Sequence, residues 1–303
     1  MFPGGTSSKK IKIYFSDFYS DFNMRDNPIY NTLYSLFDVE LNENPDFLFY
    51  GCFGNKFRSY QNCIKIFFNT ENFVPNFNEC DYAISHNYLS FGERFLQYNF
   101  YYQPIDQLSF SKELVNRKFC NFLYYNDQCG EGAKLRCDFF EKLSTYKFID
   151  SPGIVCHNID IPIAARDENW VEDKLNFIKN YKFTIAFENS LGSGYVTEKL
   201  FHPFMAHSIP IYWGDNSVVK EINPDAFINC NDFDNDFDKV IDKIKELDND
   251  DEQYLHMLLQ PKIKPESYFN TQDQKLEDFL KNIIARGNLP FCKDPHNIQE
   301  RCR

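Results

Sequence analysis

Short apolar runs of β type alternate with stretches whose apolar residues recur at helical spacing, and this alternation occupies most of the 303-residue chain. In the first third, IKIYF (11–15) has strand periodicity. FLFY (47–50), IKIFF (64–68) and YAIS (82–85) are short β-type runs bounded by Gly, Asn and Asp. Asn27-Pro28 has the form of an N-cap followed by proline at the first helical position, which predicts a helix through about Phe37. From Lys118 the alternation restarts. KFCNFLYYN predicts a strand, QCGEGA a turn, KLRCDFFEKLSTY a helix, and a second helix at about 168–180 leads into the strand KFTIAF. A glycine turn, a helix from about Thr197 and the strand IPIYW follow, then AFINC, the helix FDKVIDKIKEL and a last helix at about 272–285.

Strands and helices alternating in this way imply parallel sheets of doubly wound type. Two such runs, meeting near 105–117, predict an α/β protein of two Rossmann-like halves facing each other across a cleft. The expected division is 1–111, 112–265 and a C-terminal helical tail, 266–303.

Composition narrows the classes. Hydrophobic residues make up 43%, with 33 Phe and 19 Tyr, so a substantial core is within reach. The net charge of −12 argues against a nucleic-acid partner or an anionic membrane surface. An anionic ligand would have to be met by a few locally placed cations. No apolar run approaches the roughly 20 residues of a membrane span, and MFPGGTSSKK lacks an apolar signal core. The ten cysteines show no C-x-x-C spacing and read as mostly reduced core residues, which with the other signs leads us to expect a soluble, cytoplasmic protein. Cys292 and Cys302 bracket a short tail loop and are the pair to consider for a disulfide.

Ligands of open α/β sheets bind beyond the carboxyl ends of the strands. FENSLGSGYVTEKLFHPFMAHSIPIYWG (187–214) has that layout: a strand end, a turn with Gly192 and Gly194, then a helix start whose free N–H groups suit an anion. On a helix, Tyr195, Glu198 and Lys199 would share one face. Lys199 would meet a phosphate, Tyr195 would cover it and Glu198 would hold ribose or sugar hydroxyls. Spacing alone fits equally well a plain loop followed by a solvated first helical turn. There is no G-x-G-x-x-G and no Walker lysine. NDFDNDFD (231–238) lacks the EF-hand glycine and bidentate Glu, and is expected to cap the following helix and not to bind a metal. His157, His202, His207, His256 and His296 show no metal spacing.

The string from Phe187 to Gly214 closely resembles the signature of the α-1,3-fucosyltransferases, glycosyltransferase family 10, most nearly its soluble bacterial members. The resemblance extends into FFNTENFVPNFNECDYAISHNYLSFGERFL (67–96) and, more loosely, over about 45–260. It implies a GT-B fold, with the donor GDP-fucose in the C-terminal half and the acceptor sugar mainly in the N-terminal half. It also implies an inverting transfer of L-fucose to a GlcNAc-containing, N-acetyllactosamine-like glycan, with no cofactor and no metal. By the same resemblance the general base is Glu71, in N-T-E-N, where Thr70 replaces the family's glycine. Asn189, Tyr195, Glu198 and Lys199 match donor-binding positions, and Arg136 best fits the family's pyrophosphate-binding arginine. His86 matches a segment that faces the acceptor. From the residues alone, Glu71 is one loop acid among 44 Asp and Glu at the end of a predicted strand, and Arg136 reads equally as a surface helix residue. Glu93 and Arg94 could pair with each other, and Trp213 is expected to pack at a strand end. The alternatives are a same-fold enzyme using another nucleotide sugar, and a nucleotide-sugar or glycan-binding protein without turnover.

Overall fold

The computed structural model describes residues 10–128, 130–163, 169–287 and 290–291. The Cys292–Cys302 pair, His296 and residue 168 lie outside them. The chain forms two compact units, one running to Phe100 and resuming at Phe269, the other Tyr101–Tyr268.

The first unit is built on β1 (Lys10–Ser16), α1 (Pro28–Leu36), β2 (Asp38–Leu41), β3 (Phe47–Tyr50), β4 (Ile64–Phe68), β5 (Tyr82–Ser85) and β6 (Phe95–Gln97). The strands form one wholly parallel sheet in the order β2-β1-β3-β4-β5-β6. In β1, Ile11, Ile13 and Phe15 are buried and Lys10 and Lys12 exposed, whereas β3 and β5 are buried at every position, as befits strands covered on both faces. Asn27 caps α1 as expected, its side chain accepting from the Tyr30 N–H at 2.9 Å ahead of Pro28.

The second unit contains β7 (Lys118–Asn121), α2 (Glu131–Ser144), β8 (Ile149–Asp150), α3 (Trp170–Ile178), β9 (Tyr181–Phe187), α4 (Glu198–Met205), β10 (Ile209–Trp213), β11 (Ile228–Asn229), α5 (Phe237–Asn249) and α6 (Asp251–Leu259). Its parallel sheet has the order β11-β10-β9-β7-β8. Strand order reverses between β7 and β9, the kind of switch point at whose carboxyl ends open α/β sheets bind ligands. Asp236 caps α5, accepting from the N–H groups of Asp238 and Lys239, so the acidic run 231–238 serves the helix as expected.

The unit boundaries differ from the sequence expectation of 111/112 and a separate tail from 266. The break falls between Phe100 and Tyr101, and the last helix, α7 (Gln272–Arg286), belongs to the first unit. Its apolar face, Leu276, Leu280, Ile283 and Ile284, joins Ile29 and Leu33 of α1 in one core. Gln272 fastens its start, exchanging hydrogen bonds with the backbone of Asn99 at 3.0 and 3.1 Å, and Tyr98 donates to Asp273 at 2.7 Å. Among the described residues no helix is long and apolar enough to cross a membrane. Cys63, Cys80, Cys120 and Cys230 are buried.

Candidate active site

In the first unit, Glu71 follows β4 in a turn fixed by its own backbone. The Glu71 carbonyl accepts from the Phe73 N–H at 2.7 Å and from the buried Asn69 side chain. The carboxylate therefore lies at the carboxyl end of a sheet strand, where the sequence put it. His86 follows the neighbouring strand β5 and is buried, its carbonyl accepting from Gln97 at 3.3 Å. Glu93 and Arg94 do not pair with each other. Glu93 meets Arg286 of α7. Arg94 is buried against Phe77, Phe91 and Phe291 and donates to the carbonyls of Asp81, Phe77 and Cys80.

In the second unit the switch point gathers Arg136, Glu188, Asn189, Glu198 and Lys199. Arg136 is no surface residue: it is 1% exposed on α2, the helix that follows β7. Its Nη1 donates to Asn189 Oδ1 at 2.9 Å, its Nη2 meets the Asn126 carbonyl, and its guanidinium lies 4.1 Å from the centre of the Tyr124 ring. Its Nε is buried without a partner among the described residues. The Tyr124 hydroxyl bridges to the end of β9, with the Ile185 and Phe187 carbonyls at 3.1 Å and the Phe187 N–H at 2.8 Å. The predicted glycine turn is present. Gly194 has φ +75°, and its N–H donates to Asp215, beyond β10, at 2.6 Å.

The helical face expected for Tyr195, Glu198 and Lys199 is not formed. Helix α4 begins at Glu198 with Thr197 as its cap, so Tyr195 lies in the preceding turn, 3% exposed, and does not share a helical face with Glu198 and Lys199. What fixes the helix start is Glu188, fully buried just beyond β9. Its two carboxylate oxygens accept from Thr197 N–H at 2.8 Å and Thr197 Oγ1 at 2.7 Å. Lys199 Nζ then sits 3.1 Å from Glu198 and 3.7 Å from Glu188.

The charges are strongly coupled. Burial opposes the Lys199 ammonium, but Glu198 and Glu188 outweigh it and hold the group above the usual lysine range. Burial alone would raise Glu198, yet Lys199 and Lys174 bring it down to about 2. Burial pushes Glu188 up to about 7, with Lys199 pulling the other way. Lys174, on α3, is lowered to about 8 by burial. His202, one turn beyond Glu198, is lowered to about 3 by burial and then by Lys174, and is neutral at physiological pH.

Glu188, Tyr124 and Lys174 were missed in the sequence. Glu188 reads there as the polar end of a strand, Tyr124 as one aromatic of an apolar run, and Lys174 as a helix-surface charge. Gly132 is a fourth. A Cβ there would stand 1.9 Å from the Glu188 carbonyl and 2.7 Å from the Trp213 ring, so only glycine lets α2 pass this close to the end of β9. Gly132→Ala is expected to lower unfolding stability by about 3 kcal/mol or more, read as the shift in urea midpoint. Trp213 itself is 4% exposed and packs on Phe187, as expected.

Arg136, Lys199 and the N-terminus of α4 converge at the carboxyl ends of β7 and β9, an arrangement suited to a diphosphate. Comparison with known proteins agrees in kind. Residues 13–103 match the N-terminal domain of alpha-(1,3)-fucosyltransferase FucT, and residues 94–297 match glycosyltransferase family 10 (fucosyltransferase), C-terminal. The alpha-(1,3)-fucosyltransferase FucT of Helicobacter pylori is 29% identical over 350 residues, covering 95% of this chain and 70% of that protein. GDP-fucose protein O-fucosyltransferase 3 of Gallus gallus is 32% identical over 111 residues, 36% of this chain and 23% of that one, so the chain spans under a quarter of that relative. Crystal structures of an alpha1,3-fucosyltransferase superpose with TM-scores of 0.73 (with GDP-fucose, 27% identity, 93% of each chain) and 0.77 (with GDP, 26% identity, 96% and 95%). The fold is thus of the GT-B type, and the chain belongs to glycosyltransferase family 10, the fucosyltransferases.

Proposed function

We propose that the protein is an inverting α-1,3-fucosyltransferase that moves L-fucose from GDP-fucose to a hydroxyl of a GlcNAc-containing glycan such as N-acetyllactosamine. The observation that carries the reading is the pair of cations at the switch point of the second sheet: buried Arg136 held by Asn189, and half-buried Lys199 held by Glu198 and Glu188. In this reading Glu71 takes the proton from the acceptor hydroxyl as its oxygen attacks the anomeric carbon. GDP leaves from the opposite face, and its new charge is met by Arg136, Lys199 and the N–H groups that open α4. Glu198 holds the ribose, and Tyr195 and Asn189 border the donor. His86 serves the acceptor side. Two fixed cations and a helix N-terminus supply the compensation that a divalent ion provides elsewhere, so the rate is expected to be unchanged by EDTA.

The test is GDP release from GDP-fucose with and without N-acetyllactosamine, with GDP-mannose and UDP-galactose as donor controls. Acceptor-dependent release from GDP-fucose alone supports the reading. Equal release from another donor points to a same-fold enzyme of different donor choice. GDP binding without release from any donor points to a binding protein.

The same cluster sets a pH dependence. Between pH 6 and 9, Glu188 (about 7) gains negative charge and Lys174 (about 8) loses positive charge. Both changes disfavour a diphosphate, so the KM for GDP-fucose is expected to rise with pH, roughly tenfold across that range. In Lys174→Met the upper step should vanish from the KM profile.

A further inference from the structure

The first sheet also has a switch point, between β1 and β3. The loops that leave these two strands carry Tyr19 and Phe53, whose rings meet edge to face with centroids 6.1 Å apart. They are 46% and 53% exposed, and Phe73, two residues past Glu71, is 54% exposed. The other exposed large aromatic of this unit among the described residues, Tyr34, lies on α1 and stacks on Tyr30.

The loops are built rigidly. Asp17, with φ +61°, accepts from the Lys56 and Phe57 N–H groups at 2.8 and 2.7 Å through its carboxylate, and from the Phe53 N–H at 2.9 Å through its carbonyl. A Cβ on Gly51 or Gly54 would come within 2.6 or 2.3 Å of Asp17. Tyr19 is braced from behind by Phe22, 5.7 Å away and nearly perpendicular. The charge of Glu71 reaches both loops: after burial and Asp21 it helps raise the Tyr19 phenol, and after burial it helps raise Cys52, beside Phe53, to about 11.

We propose that Tyr19 and Phe53 are the stacking platform for a pyranose ring of the acceptor, holding its reacting hydroxyl toward Glu71. The proposal rests on the fucosyl-transfer reading and adds the recognition that reading lacks. A pyranose presents one face of C–H bonds with its hydroxyls at the rim. That face packs on the electron-rich face of an aromatic ring and leaves the hydroxyls free for proton transfer. Phe53, placed by Asp17, and Tyr19, braced by Phe22, stand perpendicular, so one ring stacks on such a face while the other walls its edge, without a cost in loop ordering. Phe73 would close the third side.

The test uses Tyr19→Ala, Phe53→Ala and Tyr19→Phe in the full chain. The KM for N-acetyllactosamine is expected to rise about tenfold in each alanine variant and to stay near wild type in Tyr19→Phe. Acceptor-free hydrolysis of GDP-fucose and the affinity for GDP should not move. Transfer by the wild type with an unchanged acceptor KM in both alanine variants overturns this inference alone. A parallel fall in donor hydrolysis and GDP affinity marks a merely structural role and also overturns it. No fucosyl transfer by the wild type overturns the functional reading and this inference with it.

Discussion

Glu71→Gln is expected to lower the rate of fucosyl transfer by about 10²–10⁴-fold, the usual contribution of a positioned general base. The amide keeps the size of the side chain and cannot accept the acceptor's proton. Because the Glu71 backbone carbonyl, which the substitution keeps, accepts from the Asn69 side chain and the Phe73 N–H, the substitution should leave the turn intact. Since Glu71 belongs to the first unit and the cation cluster to the second, GDP affinity should be unchanged. Steady-state transfer rates and calorimetric titration of GDP into the same samples separate the two effects. A matching loss of GDP affinity would move Glu71 out of the role of base.

Lys199→Met should fail in two ways at once. Removing the ammonium takes away charge that the departing diphosphate needs, with an expected loss of about 10²–10³-fold in kcat/KM. It also strips the cation from between Glu188, which is fully buried, and Glu198, which is partly buried. Breaking such a pair from one side costs roughly 3–5 kcal/mol of stability. In this variant Glu198 joins Glu188 in having a folded pKa above the unfolded value, so the folded state binds more protons than the unfolded one. Stability is then retained at low pH and lost as pH rises through the carboxylate range toward neutrality. Denaturation at pH 5 and pH 8 measures it. A variant equally stable at both would mean that the two carboxylates do not depend on Lys199.

Much of this was legible in the chain because local chemistry and tertiary position agreed. Asn27-Pro28 marks a helix start by itself, and Asp236 does the same for α5. IKIFF fixed the end of β4, and with it the address of Glu71. What was hidden depends on partners distant in sequence. The apolar face of α7 says that the helix packs, but Leu276 and Ile283 do not say against what; the contacts with Asn99 and α1 decide it. The helix start near Thr197 was legible, but the i, i+3 spacing of Tyr195 to Glu198 was not decisive: the buried Glu188 holds Thr197 as the cap, and Tyr195 stays in the turn before it. Helix α6 was overlooked because DEQYLHMLL follows α5 directly and Asp250 serves as end of one helix and cap of the next. Arg94 next to Glu93 suggested a pair, while three backbone carbonyls outcompete that neighbour.

The most direct measurement is the proton NMR spectrum of the product formed from GDP-fucose and N-acetyllactosamine. GDP-fucose carries its fucose in β-linkage, so a single displacement driven by Glu71 must give fucose α-linked to O3 of the N-acetylglucosamine, and that is the predicted result. A β-linked product would mean that configuration is retained and that Glu71 is not the base of a single displacement. No product alongside tight GDP binding would contradict the assignment of the chain as a working transferase on this acceptor.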